Sequence, residues 1–116
     1  MYRSQTAIAN DLDYDKTFTA EYTGDASGAT LITPTSGKVL KIAGVYISTA
    51  STDGDVRVYF SDDENDQINT VLTAFGADTN NYVPLLMRGD RNAVLKVDST
   101  LGDGDGYFIL VNFSEE

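Results

Sequence analysis

Residues 37–61 read GKVLKIAGVYISTASTDGDVRVYFS, and two segments of this stretch alternate apolar with polar residues. Alternation with period two is typical of a β-strand that buries one face. In the first segment, residues 40–47, the alternation changes phase at Ala43-Gly44, which indicates a β-bulge. The second segment, residues 56–60, alternates without interruption. We therefore predict two strands that are joined by the polar turn at residues 49–54 and paired with each other as a hairpin.

Further alternating segments lie on both sides of this stretch, and turn-forming residues separate them. The predicted strands are residues 17–22, 30–33, 82–87, 93–98 and 107–113, and the predicted turns are residues 24–28, 34–37, 88–92 and 101–106. Pro84 predicts an edge position or a bulge, because proline has no N–H group for the strand ladder. The last strand is apolar on both faces, so we expect it to be central in a sandwich or covered by a partner.

Residues 66–75 fit two patterns. Ile68 and Leu72 belong to an apolar stripe at helical spacing, whereas the β-branched Thr70 and Thr73 favour a strand, which we prefer. About eight short strands separated by turns predict an all-β fold. The expected architecture is an antiparallel β-sandwich, jelly-roll-like, with at most one short helix.

The length of 116 residues predicts a single domain. We assign residues 17–116 to this domain and residues 1–16 to an N-terminal arm, since the arm shows no clean apolar period. Three interpretations of the arm remain open: a terminal segment without fixed structure, an arm that binds a neighbouring subunit, and an edge strand of its own domain.

Composition excludes several classes of function. The chain has no cysteine and no histidine, so it lacks the usual thiolate nucleophile, the commonest general base and the commonest transition-metal ligands. A net charge of -10 disfavours binding to nucleic acids and to anionic membranes. We therefore expect no enzymatic activity, no cofactor, no nucleic-acid partner and no membrane partner. The first residues include no hydrophobic signal segment, so we expect synthesis in the cytoplasm.

Acidic clusters in predicted loops are the candidates for a metal site. The calcium candidates are Asp62, Glu64, Asp66, Asp103 and Asp105. The first three resemble the start of an EF-hand loop, but Gln67 and Thr73 occupy the positions where that loop needs glycine and glutamate. We therefore prefer solvated turns, since Asp and Gly are also the residues that turns require.

Two other features suggest binding functions. Residues 88–90 read Arg-Gly-Asp, the tripeptide that integrins recognise, although a turn between strands explains it equally well. Seven tyrosines, four of them in predicted strands, suggest stacking on sugars. Those four are Tyr46, Tyr59, Tyr82 and Tyr107. Tyrosine is also common on half-buried strand faces and at subunit interfaces, which is the interpretation we prefer.

The strand pattern from residue 34 to the C-terminus resembles that of small β-sandwich head decoration (capsid auxiliary) proteins of tailed bacteriophages. The matching elements are TPTSGK at residues 33–38, the bulged strand at 40–47, VRVYF at 56–60, AVLKV at 93–97 and the apolar strand with acidic residues at 107–116. The resemblance implies a homo-oligomer, with a trimer favoured, that binds the major capsid protein lattice from outside. It brings no catalytic residues and does not reach residues 1–32.

We therefore expect a structural virion protein of the decoration or cement type, located on the capsid exterior and made in the host cytoplasm. The expected interface residues are apolar positions of the arm and of the last strand: Ile8, Leu12, Tyr14, Tyr107, Phe108, Leu110 and Phe113. Two alternatives stay open. One is a module of a tail or fibre that binds glycans or host surfaces. The other is a different structural sandwich, such as a tail-tube, head-completion or bacterial surface protein.

Overall fold

The computed structural model describes residues 14–49, 51, 54–61, 69–75, 81–101 and 105–116. These residues form eight β-strands: β1 (Lys16–Thr23), β2 (Ala26–Ile32), β3 (Leu40–Thr49), β4 (Asp55–Ser61), β5 (Asn69–Phe75), β6 (Asn81–Arg88), β7 (Val94–Ser99) and β8 (Gly106–Glu115). The all-β prediction is confirmed, and the ambiguous segment at residues 66–75 contains a strand. Within the described part of the chain, no helix has the length and apolar character needed to cross a membrane.

The strands form two four-stranded sheets that pack against each other. The front sheet has the order β1-β8-β3-β6, and the back sheet has the order β2-β7-β4-β5. All neighbouring strands are antiparallel. The pairs β4–β5, β3–β6, β2–β7 and β1–β8 are those of one long hairpin that has been folded over into two sheets. This arrangement is a jelly roll, so the predicted sandwich is confirmed.

The predicted hairpin between the two strands of residues 37–61 is wrong. β3 lies between β8 and β6 in the front sheet, whereas β4 lies between β7 and β5 in the back sheet. The apolar faces of β3 and β4 therefore both line the core, from opposite sheets. Alternation specifies which face of a strand is buried but not which strand is its neighbour, so the sequence pattern was compatible with both arrangements.

The bulge in β3 and the edge position of Pro84 are both confirmed. The register of β3 shifts between Ile42 and Gly44 relative to β6 and to β8. Pro84 lies in β6, which is an edge strand of the front sheet, and it pairs with Gly44 at the bulge. The missing N–H group of Pro84 therefore falls where the ladder is already irregular.

The predicted turn at residues 24–28 is shorter than expected. Gly24 has a φ of 70° and makes the turn from β1 to β2, but β2 already begins at Ala26. Gly28, with a φ of 67°, lies inside β2 at a register shift between Ala26 and Ala29. The second glycine therefore marks a strand irregularity and not a turn. The sequence does not distinguish the two features, because both use the left-handed conformation that glycine tolerates.

The core lies between the two sheets and is built mainly from inward-facing residues of the four central strands β3, β4, β7 and β8. Its largest fully buried side chains are Phe60, Leu40, Ile42, Ile47, Leu95, Leu101 and Ile109. On β7 and β8 the burial alternates strictly over several residues. Each inner side chain has an outward neighbour on the same strand, and these outward residues distinguish the two sheets.

Candidate interaction surface

The outer face of the front sheet carries apolar side chains that are exposed or half-buried in the protomer. They belong to the three adjacent strands β3, β6 and β8, and we call them the outer patch: Tyr46, Tyr82, Pro84, Leu86, Phe108 and Leu110. Each follows or precedes a residue that faces the core, so its side chain points away from the core. Tyr82 is 44% exposed and Leu86 is 41% exposed. Exposed aromatic and aliphatic residues in one contiguous area are typical of an interaction surface.

The strand register makes the outer patch continuous across the sheet. Tyr46 on β3 pairs with Leu110 on β8 and with Tyr82 on β6. The rings of Tyr46 and Phe108 meet edge to face, with centroids 6.1 Å apart and an interplanar angle of 61°. This geometry is a favourable one for aromatic pairs. The Tyr46 and Phe108 rings therefore support each other on the outer face.

Tyr82 is held against the sheet by a polar chain that crosses it. Thr17 Oγ1 donates to Asn112 Oδ1 over 2.8 Å, and Asn112 Nδ2 donates to Tyr82 Oη over 2.9 Å. The ring of Tyr82 lies over Gly44, where any side chain would overlap it. We did not predict this contact, although a glycine inside a strand is a known signal for close approach of another group.

The strand β1 supplies a polar border to one side of the outer patch. Its outward residues Thr17, Thr19, Glu21 and Thr23 are all exposed. Thr19 pairs with Leu110, and Glu21 pairs with Phe108, so the border touches the patch directly. An apolar centre with a polar, solvated rim is the usual composition of a protein–protein interface.

The predicted interface residues separate into distinct groups. Phe108 and Leu110 are half-buried and belong to the outer patch. Tyr107 and Phe113 point into the core, so the structure corrects their assignment to a contact surface. The cause is the central position of β8, whose inner face must be apolar in any sandwich. Tyr14 is exposed just before β1, whereas Ile8 and Leu12 lie outside the described residues.

Tyr107 is a structural tyrosine. Its ring stacks on that of Tyr22, with centroids 5.5 Å apart, and only 3% of the residue is exposed. Burial raises the pKa of its phenol above 10.0; the Ser99 hydroxyl offsets part of this rise, and Tyr22 adds to it. Tyr107 Oη makes no hydrogen bond of acceptable geometry to the described residues. This side chain is therefore not available for stacking on a sugar.

The outer face of the back sheet is covered by its own polar contacts. The Asp98 carboxylate accepts hydrogen bonds from Gly28 N at 2.6 Å and from Tyr59 Oη at 3.0 Å. Arg57 lies 3.9 Å from the same carboxylate and stacks over the Tyr59 ring at 4.7 Å. As a result Tyr59 is only 2% exposed, although it is not part of the core cluster. The polar contacts of Asp98 and Arg57 therefore cover Tyr59 on this face.

The structure does not assemble a metal site from the predicted acidic residues that it describes. Asp62, Glu64, Asp66 and Asp103 lie outside the described residues. Asp105 is half-buried beside the turn between β1 and β2, where its backbone oxygen accepts a hydrogen bond from Gly24 N at 2.8 Å. Among the residues with assigned positions, no group of three or more potential ligands lies close enough to hold a metal ion.

The Arg-Gly-Asp tripeptide is built into the fold at the end of β6. Arg88 Nε donates to Glu116 Oε1 over 2.7 Å, and Gly89 N donates to the backbone oxygen of Leu40 over 3.0 Å. Gly89 is buried against the Phe60 ring, which would lie 2.7 Å from any added Cβ. Integrin recognition needs a projecting loop, so these contacts favour a structural role for the tripeptide.

No protein-family model matches this sequence, and no curated protein is significantly similar to it. The function must therefore be inferred from the chain's own surfaces. The outer patch brings the exposed side chains of Tyr82, Pro84 and Leu86 together on one face of β6.

Proposed function

We propose that the chain is a non-enzymatic structural protein that binds the outside of a phage capsid lattice and stabilises it. The outer patch carries this proposal, because three of its six side chains are exposed to solvent and the other three are half-buried on the same sheet face. A flat sheet face suits a lattice of repeated, nearly planar units. The resemblance of the strand pattern to head decoration proteins supports the choice of a capsid as the lattice.

The size of the front sheet indicates how the protein would bind. Four strands about 4.8 Å apart and roughly 30 Å long present a face of about 600 Å². A standard interface buries about 800 Å² on each partner, so a single contact through this face would be weak. Many copies on one lattice, or a homo-oligomer, convert weak contacts into stable attachment by multivalency.

The acidic composition is compatible with this role. A net charge of -10 favours solubility of the protein in the host cytoplasm, where we propose that it is made. It also disfavours contact with the packaged nucleic acid, as expected for a protein on the capsid exterior.

The decisive experiment tests whether the chain is a particle component that attaches through the outer patch. Virions made by the genome that encodes this chain are banded on a density gradient, and the chain is quantified by mass spectrometry. We expect it in the particle band and expect Leu110→Glu to be lost from it. Val94→Glu is the matched control, since Val94 is half-buried on the outer face of the back sheet. Absence of the wild-type chain from particles, or equal retention of both variants, would refute the proposal.

A folding control separates attachment from stability. Phe108→Ala and Leu110→Ala remove outward side chains, so we expect attachment to weaken more than the free energy of unfolding. If either variant instead loses about 3–5 kcal/mol of stability in urea titrations, its side chain acts as core and the patch is not a contact surface.

A second candidate function is glycan binding by a tail or fibre module, and Tyr82 favours it. The exposed Tyr82 ring lies beside Tyr46 and Asn112, which offer a stacking surface and an amide. A glycan array distinguishes the two proposals: specific signals that Tyr82→Ala abolishes support this candidate, and silence with the wild-type chain rejects it.

A further inference from the structure

Four strands lie at the edges of the two sheets, and three of them are irregular. β6 contains Pro84 and pairs with β3 across a register shift. β2 contains Gly28 with a positive φ and has two register shifts relative to β7. β5 has a register shift that skips Val71 opposite β4. Proline, bulges and twists of this kind are how natural proteins prevent edge strands from pairing with other chains.

The fourth edge strand, β1, has neither a proline nor a bulge, and its charged residues are Lys16 and Glu21. Its eight residues pair with β8 in one unbroken register, and none of them is proline or glycine. Its other side has no strand partner among the described residues. Phe18 and Tyr22 pack against the core but stay half-exposed, because the front sheet ends at this strand. A long, regular edge with an incompletely covered apolar side is a template for an added strand.

We propose that β1 pairs antiparallel with β1 of a second copy of this chain, which joins two front sheets into one continuous eight-stranded sheet. The strand is self-complementary when Ala20 faces Ala20 of the second copy. Phe18 then lies opposite Tyr22 of the second copy, and Thr19 lies opposite Glu21 of the second copy. Aromatic cross-strand pairs are favourable, and no like charges are opposed in this register.

The β1–β1 pairing also determines how the outer patches of the two copies are oriented. Two antiparallel strands in one sheet are related by a two-fold axis perpendicular to the sheet, so the outer faces of both copies lie on the same side. The dimer therefore presents two outer patches in one surface. This contact would double the area offered to a flat partner, but it forms without any capsid and does not depend on the proposed function. It gives a dimer, in contrast to the trimer that the resemblance implies.

The test uses the full chain alone, in sedimentation velocity and native mass spectrometry over a wide range of concentrations. We expect a reversible monomer–dimer equilibrium. Thr19→Glu places like charges opposite each other twice across the axis, and we expect dimer affinity to fall about twofold to thirtyfold. Thr19→Lys places Lys opposite Glu21 and should raise affinity. Thr19 is exposed, so neither variant is expected to change folding.

Thr30→Glu is the matched control, because Thr30 is an exposed threonine on the edge strand β2 of the back sheet. We expect its dimer affinity to equal that of the wild-type chain. A chain that stays monomeric at all concentrations would overturn the proposal, whatever the reason. One such reason would be that the chain's own residues 1–13 cover β1. The proposal would also be overturned by a trimer, by equal effects of the two Thr19 variants, or by a dimer that Leu110→Glu abolishes and Thr19→Glu leaves intact. The last result would assign self-association to the outer patch.

Discussion

The outer faces of the two sheets are built on the same plan but completed differently. On the back sheet, the Asp98 carboxylate binds Gly28 N and Tyr59 Oη and lies near Arg57, so an aromatic ring on the outside is buried by its own protomer. On the front sheet, Tyr82 receives one hydrogen bond from Asn112 and stays 44% exposed. Both outer faces carry a tyrosine, but only the back sheet buries its tyrosine ring under other side chains of the same protomer.

This difference shows why counting aromatic residues is a poor guide to binding surfaces. Tyr59 and Tyr82 both point away from the core, and their availability depends on the charged residues beside them. Arg57 stacks on the Tyr59 ring and Asp98 accepts a hydrogen bond from its hydroxyl, so these two side chains cover Tyr59. No such charged pair is observed over Tyr82 among the contacts of the described residues, where the neighbouring positions carry Tyr46 and Pro84. The exposed part of the Tyr82 ring on the front sheet is therefore accessible to a partner, whereas the Tyr59 ring on the back sheet is not.

The largest expected effect is on the back sheet. Asp98→Ala should lower the free energy of unfolding by about 2–4 kcal/mol, because it removes the carboxylate that accepts hydrogen bonds from the Gly28 N–H and the Tyr59 hydroxyl. The measurement is urea unfolding of the purified chain. Asp98→Asn keeps one acceptor oxygen and should lose less. A change below about 0.5 kcal/mol for Asp98→Ala would mean that solvent replaces the carboxylate and that the back face is not held by this network.

Most strand positions could be predicted from the sequence, because alternation reports burial directly. The bulge at Ala43-Gly44 and the edge position of Pro84 also followed from local chemistry. Strand pairing could not be derived in the same way. The two strands of residues 37–61 were expected to pair, yet they lie in opposite sheets, since the folding of the long hairpin into a jelly roll depends on distant segments.

The candidate surface was only partly predictable. Phe108 and Leu110 were identified because β8 is apolar on both sides, but Tyr107 and Phe113 were assigned to the same surface although they face the core. The lock between Tyr82 and Gly44 was not anticipated, since it joins residues that are neighbours only once β3 and β6 have paired.

An intermediate effect on stability is expected for the contact between Tyr82 and Gly44 on the front sheet. Gly44→Ala displaces the Tyr82 ring and removes its hydrogen bond with Asn112, and we expect a loss of about 1–2 kcal/mol in stability. In a Tyr82→Ala background the same change should be neutral or stabilising, because alanine restricts the unfolded chain more than glycine does. A double-mutant cycle by urea unfolding measures the difference. Equal losses in both backgrounds would show that Gly44 is required for another reason.

The smallest expected effect lies where the two sheets are joined, and it depends on pH. Thr35, in the connection from β2 to β3, donates its N–H and its hydroxyl to the Glu115 carboxylate of β8 at 2.6 and 3.0 Å. These hydrogen bonds, and more weakly Lys16 and Lys38, lower the pKa of Glu115 below its ordinary value of 4.5, against a smaller opposing effect of desolvation.

Because the folded state lowers this pKa, the stabilisation is present above 4.5 and is lost as the pH falls through the folded value. Glu115→Gln should therefore be less stable than the wild-type chain at neutral pH, and the difference in urea midpoint should shrink under acid conditions. Thr35→Val keeps the backbone donor, so its stability at neutral pH should lie between that of the wild-type chain and that of Glu115→Gln. If the difference in urea midpoint between Glu115→Gln and the wild-type chain stays constant over the whole pH range, the Thr35–Glu115 contact stabilises the connection between the sheets through packing. In that case the front and back sheets would be joined there without a contribution from charge.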